Sequence, residues 1–116
     1  MNTDAFWLAL DKLVSESKII IDRPKGSRHP KFSRYIYPVD YGYLENTSAM
    51  DGGGIDVYKG TDGDYIDAII CTVDLLKRDS EIKILIACNE DEKRLIFDSH
   101  NSCEMNKGIL IRRSKL

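Results

Sequence analysis

Two carboxylates, Asp51 and Asp56, flank three consecutive glycines in Asp51-Gly-Gly-Gly-Ile-Asp56. Only glycine takes positive φ without steric cost, so Gly52 to Gly54 reads as a tight turn. Ile55-Asp-Val-Tyr58 then alternates like a strand. A turn of this kind can aim two carboxylates at one point. Hard cations such as Mg²⁺ are held by one or two carboxylates plus substrate phosphates. The same residues also suit a plain hairpin turn with solvated aspartates, because Asp and Gly are ordinary turn residues. A second chemical feature lies upstream, in Arg23-Pro-Lys-Gly-Ser-Arg-His-Pro-Lys-Phe-Ser-Arg34, which is basic and has no acid. Its prolines and glycine make it a loop. Lys25, Arg28, Lys31 and Arg34 could converge on phosphate oxygens as an anion clamp, against the plain alternative of a solvated basic loop. His29 reads as a pre-proline turn residue rather than a metal ligand, since no second His or Cys lies near it.

The segment before the glycines sharpens the choice. Tyr37-Pro-x-x-Tyr41-Gly-Tyr43, Thr47 and then Asp51-Gly-x-x-x-Asp56-Val57 resembles the soluble (family I) inorganic pyrophosphatases. Their signature runs Tyr-Pro-x-Asn-Tyr-Gly-Tyr, then a Thr, then Asp-Gly-Asp-Pro-x-Asp-Val. The spacing matches without a gap. The resemblance spans roughly residues 18 to 113 and is strong from Tyr37 to Val57. It implies an OB-like β-barrel with flanking helices and a site in the barrel mouth. It also implies Mg²⁺-dependent hydrolysis of pyrophosphate to two orthophosphates by metal-activated water.

Cleaving a phosphoanhydride takes divalent ions that generate hydroxide, basic and phenolic groups that grip the phosphoryl ends, and a carboxylate that helps deprotonate water. The resemblance puts Asp51 and Asp56 among the metal ligands. It aligns a family lysine with Lys83, so Glu81 stands where an Asp is usual and Asp79 is the second acid of that strand. Tyr41 matches a tyrosine near the metal site, and Lys83 a lysine near both ions and phosphate. Asp22 falls where the family has a Glu. For Asp79 and Glu81, a polar hairpin tip is an equal alternative.

Three departures stand out. Gly53 replaces the middle Asp of the family motif, the one credited with activating water, and Gly54 replaces its Pro. Removing a general base from an unchanged mechanism costs about 10²–10⁴ in rate. Asp40, where the family has Asn, is expected to supply the missing carboxylate. The Tyr-Lys pair of the family's late helix is absent around His100-Asn-Ser-Cys103. The expected function is therefore inorganic diphosphatase. The alternatives are a hydrolase of another diphosphate or nucleotide, and an inactive phosphate-binding module. No P-loop, H-E-x-x-H or G-x-S-x-G motif competes.

The elements that must position these groups follow from periodicity. Residues 3 to 16 read as an amphipathic helix with Phe6, Trp7, Leu10, Leu13 and Val14 on one stripe. Strands are expected over 18–22, 34–38, 55–59, 65–76, 81–88 and 108–112, with a turn at 61–64. Asn89 caps a helix from about Glu90 to Asn101. Leu95, Ile96 and His100 are expected to face inward there, and Asp91, Glu92, Lys93 and Arg94 to face water. Glu81 and Lys83, two apart, share a strand face. The basic end, Arg112 to Lys115, reads as a solubilising tail. The fold class is mainly β with flanking helices (α+β), a small closed or partly closed OB-like barrel.

A chain of 116 residues makes one domain. With 42% hydrophobic and 31% charged residues it has the composition of a soluble globule. A net charge of −2 gives no reason to expect nucleic acid or a membrane surface as partner. The start of the chain lacks the features of a signal peptide. Cys71, Cys88 and Cys103 include no C-x-x-C pair, and Cys71 and Cys88 read as buried, reduced thiols of a cytoplasmic protein. Relatives of the resembled family form dimers or hexamers, which implies homo-oligomerisation.

Overall fold

The computed structural model describes residues 2–114, so Lys115 of the expected basic tail lies outside the described residues. Helix α1 (Asp4–Ser15) is followed by strands β1 (Ile19–Arg23), β2 (Asp40–Leu44), β3 (Asp56–Lys59), β4 (Ile66–Asp74) and β5 (Asp79–Ile86). Helix α2 (Glu90–Ser99) and strand β6 (Asn106–Arg112) complete the chain. The strands form one sheet in the order β1-β2-β3-β5-β4-β6. Only β3 and β5 run parallel. The end strands β1 and β6 do not pair with each other, so this OB-like α+β sheet is partly closed rather than a complete barrel.

Strand alternation divides the core between two faces. Val57, Ile69, Ile84 and Leu44 point to the side that α1 covers with Trp7 and Leu10. Burying a side chain of this size stabilises by about 1.5–3 kcal/mol. Tyr41, Tyr58, Ile70 and Leu85 point the other way, against Ile96 of α2 and against Tyr37 and Val39 of the long loop. The candidate site lies on this second face.

Several expectations need correction. Residues 34–38 are not a strand, because Pro30 and Pro38 bracket them and His29 Nδ1 accepts the Lys31 and Phe32 N–H groups, at 3.0 and 3.1 Å. Only the isolated bridge between Arg28 and Ile36 remains. The second strand lies instead at Asp40–Leu44, inside the Tyr-Gly-Tyr motif. Phe6 and Leu95 are exposed, and Cys71 is only partly buried. Glu92 and Lys93 are buried rather than solvated. Glu92 closes a capping box with Asn89, each side chain accepting the other's backbone N–H at 2.8 Å. Lys93 Nζ donates to Asp67 at 2.6 Å and to Glu90 at 2.8 Å.

Gly42 explains itself. The β1–β2 register shifts between Ile21 and Arg23, folding the β1 backbone over β2. A Cβ on Gly42 would lie 1.7 Å from the Ile20 carbonyl oxygen. That contact is with backbone, so rotamer changes cannot relieve it. Gly42→Ala is expected to destabilise by about 3 kcal/mol or more, read as a lowered denaturant midpoint. A midpoint within error of the parent would contradict this packing.

Candidate active site

Three strands bring the functional side chains to one place. Glu81 and Lys83 occupy alternate positions of β5 and so share a face, as their spacing predicts. Asp56 opens β3, the parallel neighbour of β5. Tyr41 comes from β2, opposite Tyr58. Lys83 is the centre: its Nζ donates to Tyr41 Oη at 2.7 Å, Asp56 Oδ2 at 2.9 Å and Glu81 Oε2 at 3.0 Å. Burial alone would push the ammonium towards neutrality. The Tyr41 oxygen and the Asp56 carboxylate outweigh it and hold the Lys83 pKa above its ordinary value. Burial also raises Tyr41, which keeps its phenolic proton.

Asp51 approaches from the glycine turn. Its Oδ1 accepts the Gly53 N–H at 2.9 Å. That backbone bond, with a smaller contribution from hydrogen bonding to Glu81, lowers its pKa. Asp51 and Glu81 line one cavity, and Asp56 and Glu81 share one lysine. These groups line a cavity of about 510 Å³. Its carboxylates are Asp22, Asp51, Asp56, Asp74, Asp79 and Glu81, and its cations Arg23, Lys31, Lys77 and Lys83. Carboxylates therefore outnumber cations, which favours a cationic guest. The donors are all hard oxygens, the type Mg²⁺ prefers, and come from the glycine turn and several strands. Among the described residues no three acidic, His or Cys side chains stand close enough to ligate one ion. Mg²⁺ takes much of its shell from water and phosphate, so one or two carboxylates suffice.

Other expected site residues fall elsewhere. Asp40 does not line the cavity; its Oδ1 accepts the Lys25 N–H at 2.8 Å and ties down the start of the long loop. Tyr41 and Tyr43 line the cavity, and period-two alternation aims Asp40 away from the side they occupy. Of the basic loop, Lys31 reaches the cavity, whereas Lys25, Arg28 and Arg34 do not line it. Arg28 instead donates to the Ser33 carbonyl at 2.8 Å.

Arg23, which ends the first strand beside that loop, does line the cavity. Its guanidinium donates to Tyr37 Oη and lies 5.6 and 5.9 Å from the centres of the Tyr37 and Tyr41 rings. Desolvation opposes its charge, while the bond it donates to Tyr37 and nearby negative charge leave its pKa raised. An omission is an uncharged group beyond Tyr41, whose ring lies 4.8 Å from that of Tyr58. Tyr58 Oη and His100 Nε2 are 2.8 Å apart, and Tyr35 Oη lies 3.1 Å from Tyr58 Oη. His100 caps α2, where the sequence marks only an inward-facing position.

Burial, with a smaller contribution from the Lys83 charge, lowers the His100 pKa from 6.5 to about 4. The native state thus refuses a proton that the unfolded chain accepts. Full stability is present above pH 6.5 and is lost as pH falls towards 4, by roughly 3 kcal/mol in total. Thermal melts at pH 7 and pH 4.5 are expected to differ less for His100→Gln than for the parent. Equal differences would contradict the assignment.

No protein-family profile matches the chain, and no curated protein is significantly similar in sequence. Among the described residues no helix is long and apolar enough to cross a membrane. Four chains among solved structures match significantly. One is the crystal structure of an inorganic phosphatase from Anaplasma phagocytophilum, with a TM-score of 0.56 and 13% identity over 81% of each chain. At that identity the two chains have a fold in common.

Proposed function

We propose that the protein is a Mg²⁺-dependent phosphoanhydride hydrolase that releases orthophosphate from pyrophosphate or a closely related diphosphate. One observation carries the reading: the Lys83 ammonium, a single positive charge, is held by Asp56, Glu81 and Tyr41 in a cavity that Asp51 also lines. The carboxylates around it suit divalent cations held by one or two carboxylates each, and Asp51, Asp56, Asp79 and Glu81 are the ligands proposed. Bound Mg²⁺ supplies Lewis acidity and a water acidic enough to attack near neutral pH. Lys83 turns its ammonium to a phosphoryl oxygen and stabilises the charge that develops there. Tyr41, still protonated, donates a hydrogen bond to the same group. Arg23 has donors left beyond its bond to Tyr37 and, with Lys31, holds the second phosphoryl group.

Asp40 is not proposed as the base, given its bond to the Lys25 N–H. Asp51 is the nearest carboxylate to the position of the family's missing acid, since its Oδ1 bonds the Gly53 N–H. The test is phosphate release from pyrophosphate by the purified protein with Mg²⁺, beside Asp56→Asn. Turnover is expected in the parent and only background in the variant. Equal rates would trace the activity to a contaminant, and a folded parent without turnover leaves a phosphate-binding module.

A further inference from the structure

The wall beyond Tyr41, whose ring lies 4.8 Å from that of Tyr58, has the wrong chemistry for a second phosphate. It consists of Tyr35, Tyr58, Ser99 and His100, all uncharged at neutral pH. Its protons can be followed one by one. With the His100 proton on Nδ1, Tyr58 donates to Nε2 at 2.8 Å; with it on Nε2, the ring donates to Tyr58 and Tyr58 donates to Tyr35 at 3.1 Å. Tyr35 donates to Tyr58 in the first case and to Ser99 Oγ, at 3.3 Å, in the second. Ser99 Oγ donates to the Ile96 carbonyl at 2.8 Å. Every proton of the wall is spent inward, which leaves lone pairs on Tyr35 and Ser99 towards the cavity.

A phosphoryl oxygen only accepts hydrogen bonds, so it finds no donor on this wall. A hydroxyl group finds acceptors. The space agrees: about 510 Å³ lies within the range of pockets for drug-sized molecules, roughly 300–1,000 Å³, and exceeds the need of two linked phosphates. Phe32, on the same cavity, is 58% exposed, with its ring 5.1 Å from that of His29. It offers a planar group a face to stack on.

Resting on the hydrolase reading above, we infer that the preferred substrate is a ribonucleoside diphosphate. Its ribose hydroxyls donate to Tyr35 and Ser99, its base stacks on Phe32, and its diphosphate lies at the Lys83 end. Water oxygen bonds to the terminal phosphorus as the bond from that phosphorus to the bridging oxygen breaks. The bridging oxygen leaves on the nucleoside monophosphate with the bonding electrons. The products are nucleoside monophosphate, hydrogen phosphate and one proton.

Calorimetry with ADP, UDP and pyrophosphate, each with Mg²⁺, reads this preference apart from turnover, and phosphate release from the same three compounds reads turnover. A nucleoside diphosphate is expected to bind at least fivefold to tenfold more tightly than pyrophosphate. Tyr35→Phe should reduce that ratio roughly fivefold to tenfold, the worth of one neutral hydrogen bond. Tighter binding of pyrophosphate, or a ratio unmoved by Tyr35→Phe in a folded variant, overturns the inference and leaves the hydrolase reading intact. Nucleotide preference without phosphate release from any of the three overturns the hydrolase reading instead.

Discussion

Replacing Lys83 with methionine is expected to lower kcat/KM about 10²–10³-fold while raising the affinity for Mg²⁺. The two readouts move in opposite directions because the ammonium has two roles. Towards substrate it is a preorganised donor to developing charge, and loss of one such donor typically costs that factor. Towards the carboxylates it is a resident counter-ion. Its Nζ lies within 3.0 Å of Asp56 and of Glu81, and the three side chains are 10%, 27% and 15% exposed. Breaking a largely buried pair by removing one partner costs about 3–5 kcal/mol, and the exposure of Asp56 puts the expected loss at the lower end. Methionine has similar length and no charge, so Asp56, Glu81 and Asp51 are left to repel one another. A divalent cation relieves that repulsion, so added Mg²⁺ should raise Tm more in Lys83→Met than in the parent. A variant with full activity, or with weakened Mg²⁺ binding, would contradict the role given to Lys83.

The second large effect is a gain. Gly53→Asp is expected to raise kcat by about 10², the lower end of what a positioned general base contributes. The backbone permits the change. Gly53 lies outside the left-handed region, and a Cβ there would meet nothing closer than Asp51 Oδ1, at 3.4 Å. The neighbouring Gly54 has no such room, since its Cβ would fall 2.8 Å from the Tyr43 ring. The cost of a second carboxylate beside Asp51 is repulsion in the metal-free protein. The gain should therefore come with a lower Tm that Mg²⁺ restores. Unchanged or reduced kcat under saturating Mg²⁺ and substrate would show that the position of the missing acid does not face the attacking water.

The grouping of Glu81 with Lys83, and the turn between Asp51 and Asp56, were legible because the properties that set them are local. Glu81 and Lys83 share a face by strand period alone, and Asp51 and Asp56 are separated by a turn that glycine dictates. The wall beyond Tyr41 was not legible. Tyr35, Tyr58 and His100 are distant in sequence and meet only after α2 packs on the sheet. The basic loop misled for a related reason. Charge in a loop gives no direction, and direction here is set by Asp40 binding the Lys25 N–H and by Arg28 binding Ser33. Arg23 reaches the cavity because it ends β1, past the bulge that Gly42 accommodates. The strand at Asp40–Leu44 was hidden by its own motif, whose tyrosines and glycine look like loop residues until their alternation is counted. On α2, Glu92 and Lys93 resemble a solvated face but are buried because each finds a partner on another element, Thr61 and Asp67 respectively.

The central claim is that carboxylates from separate strands gather a divalent cation around the position of Lys83. Electron paramagnetic resonance of Mn²⁺ titrated into the purified protein tests it directly. The account predicts stoichiometric binding that Mg²⁺ displaces, that pyrophosphate strengthens, and that Asp56→Asn and Glu81→Gln each weaken at least tenfold. Mn²⁺ that stays free with and without pyrophosphate, or binding that both substitutions leave unchanged, would contradict it.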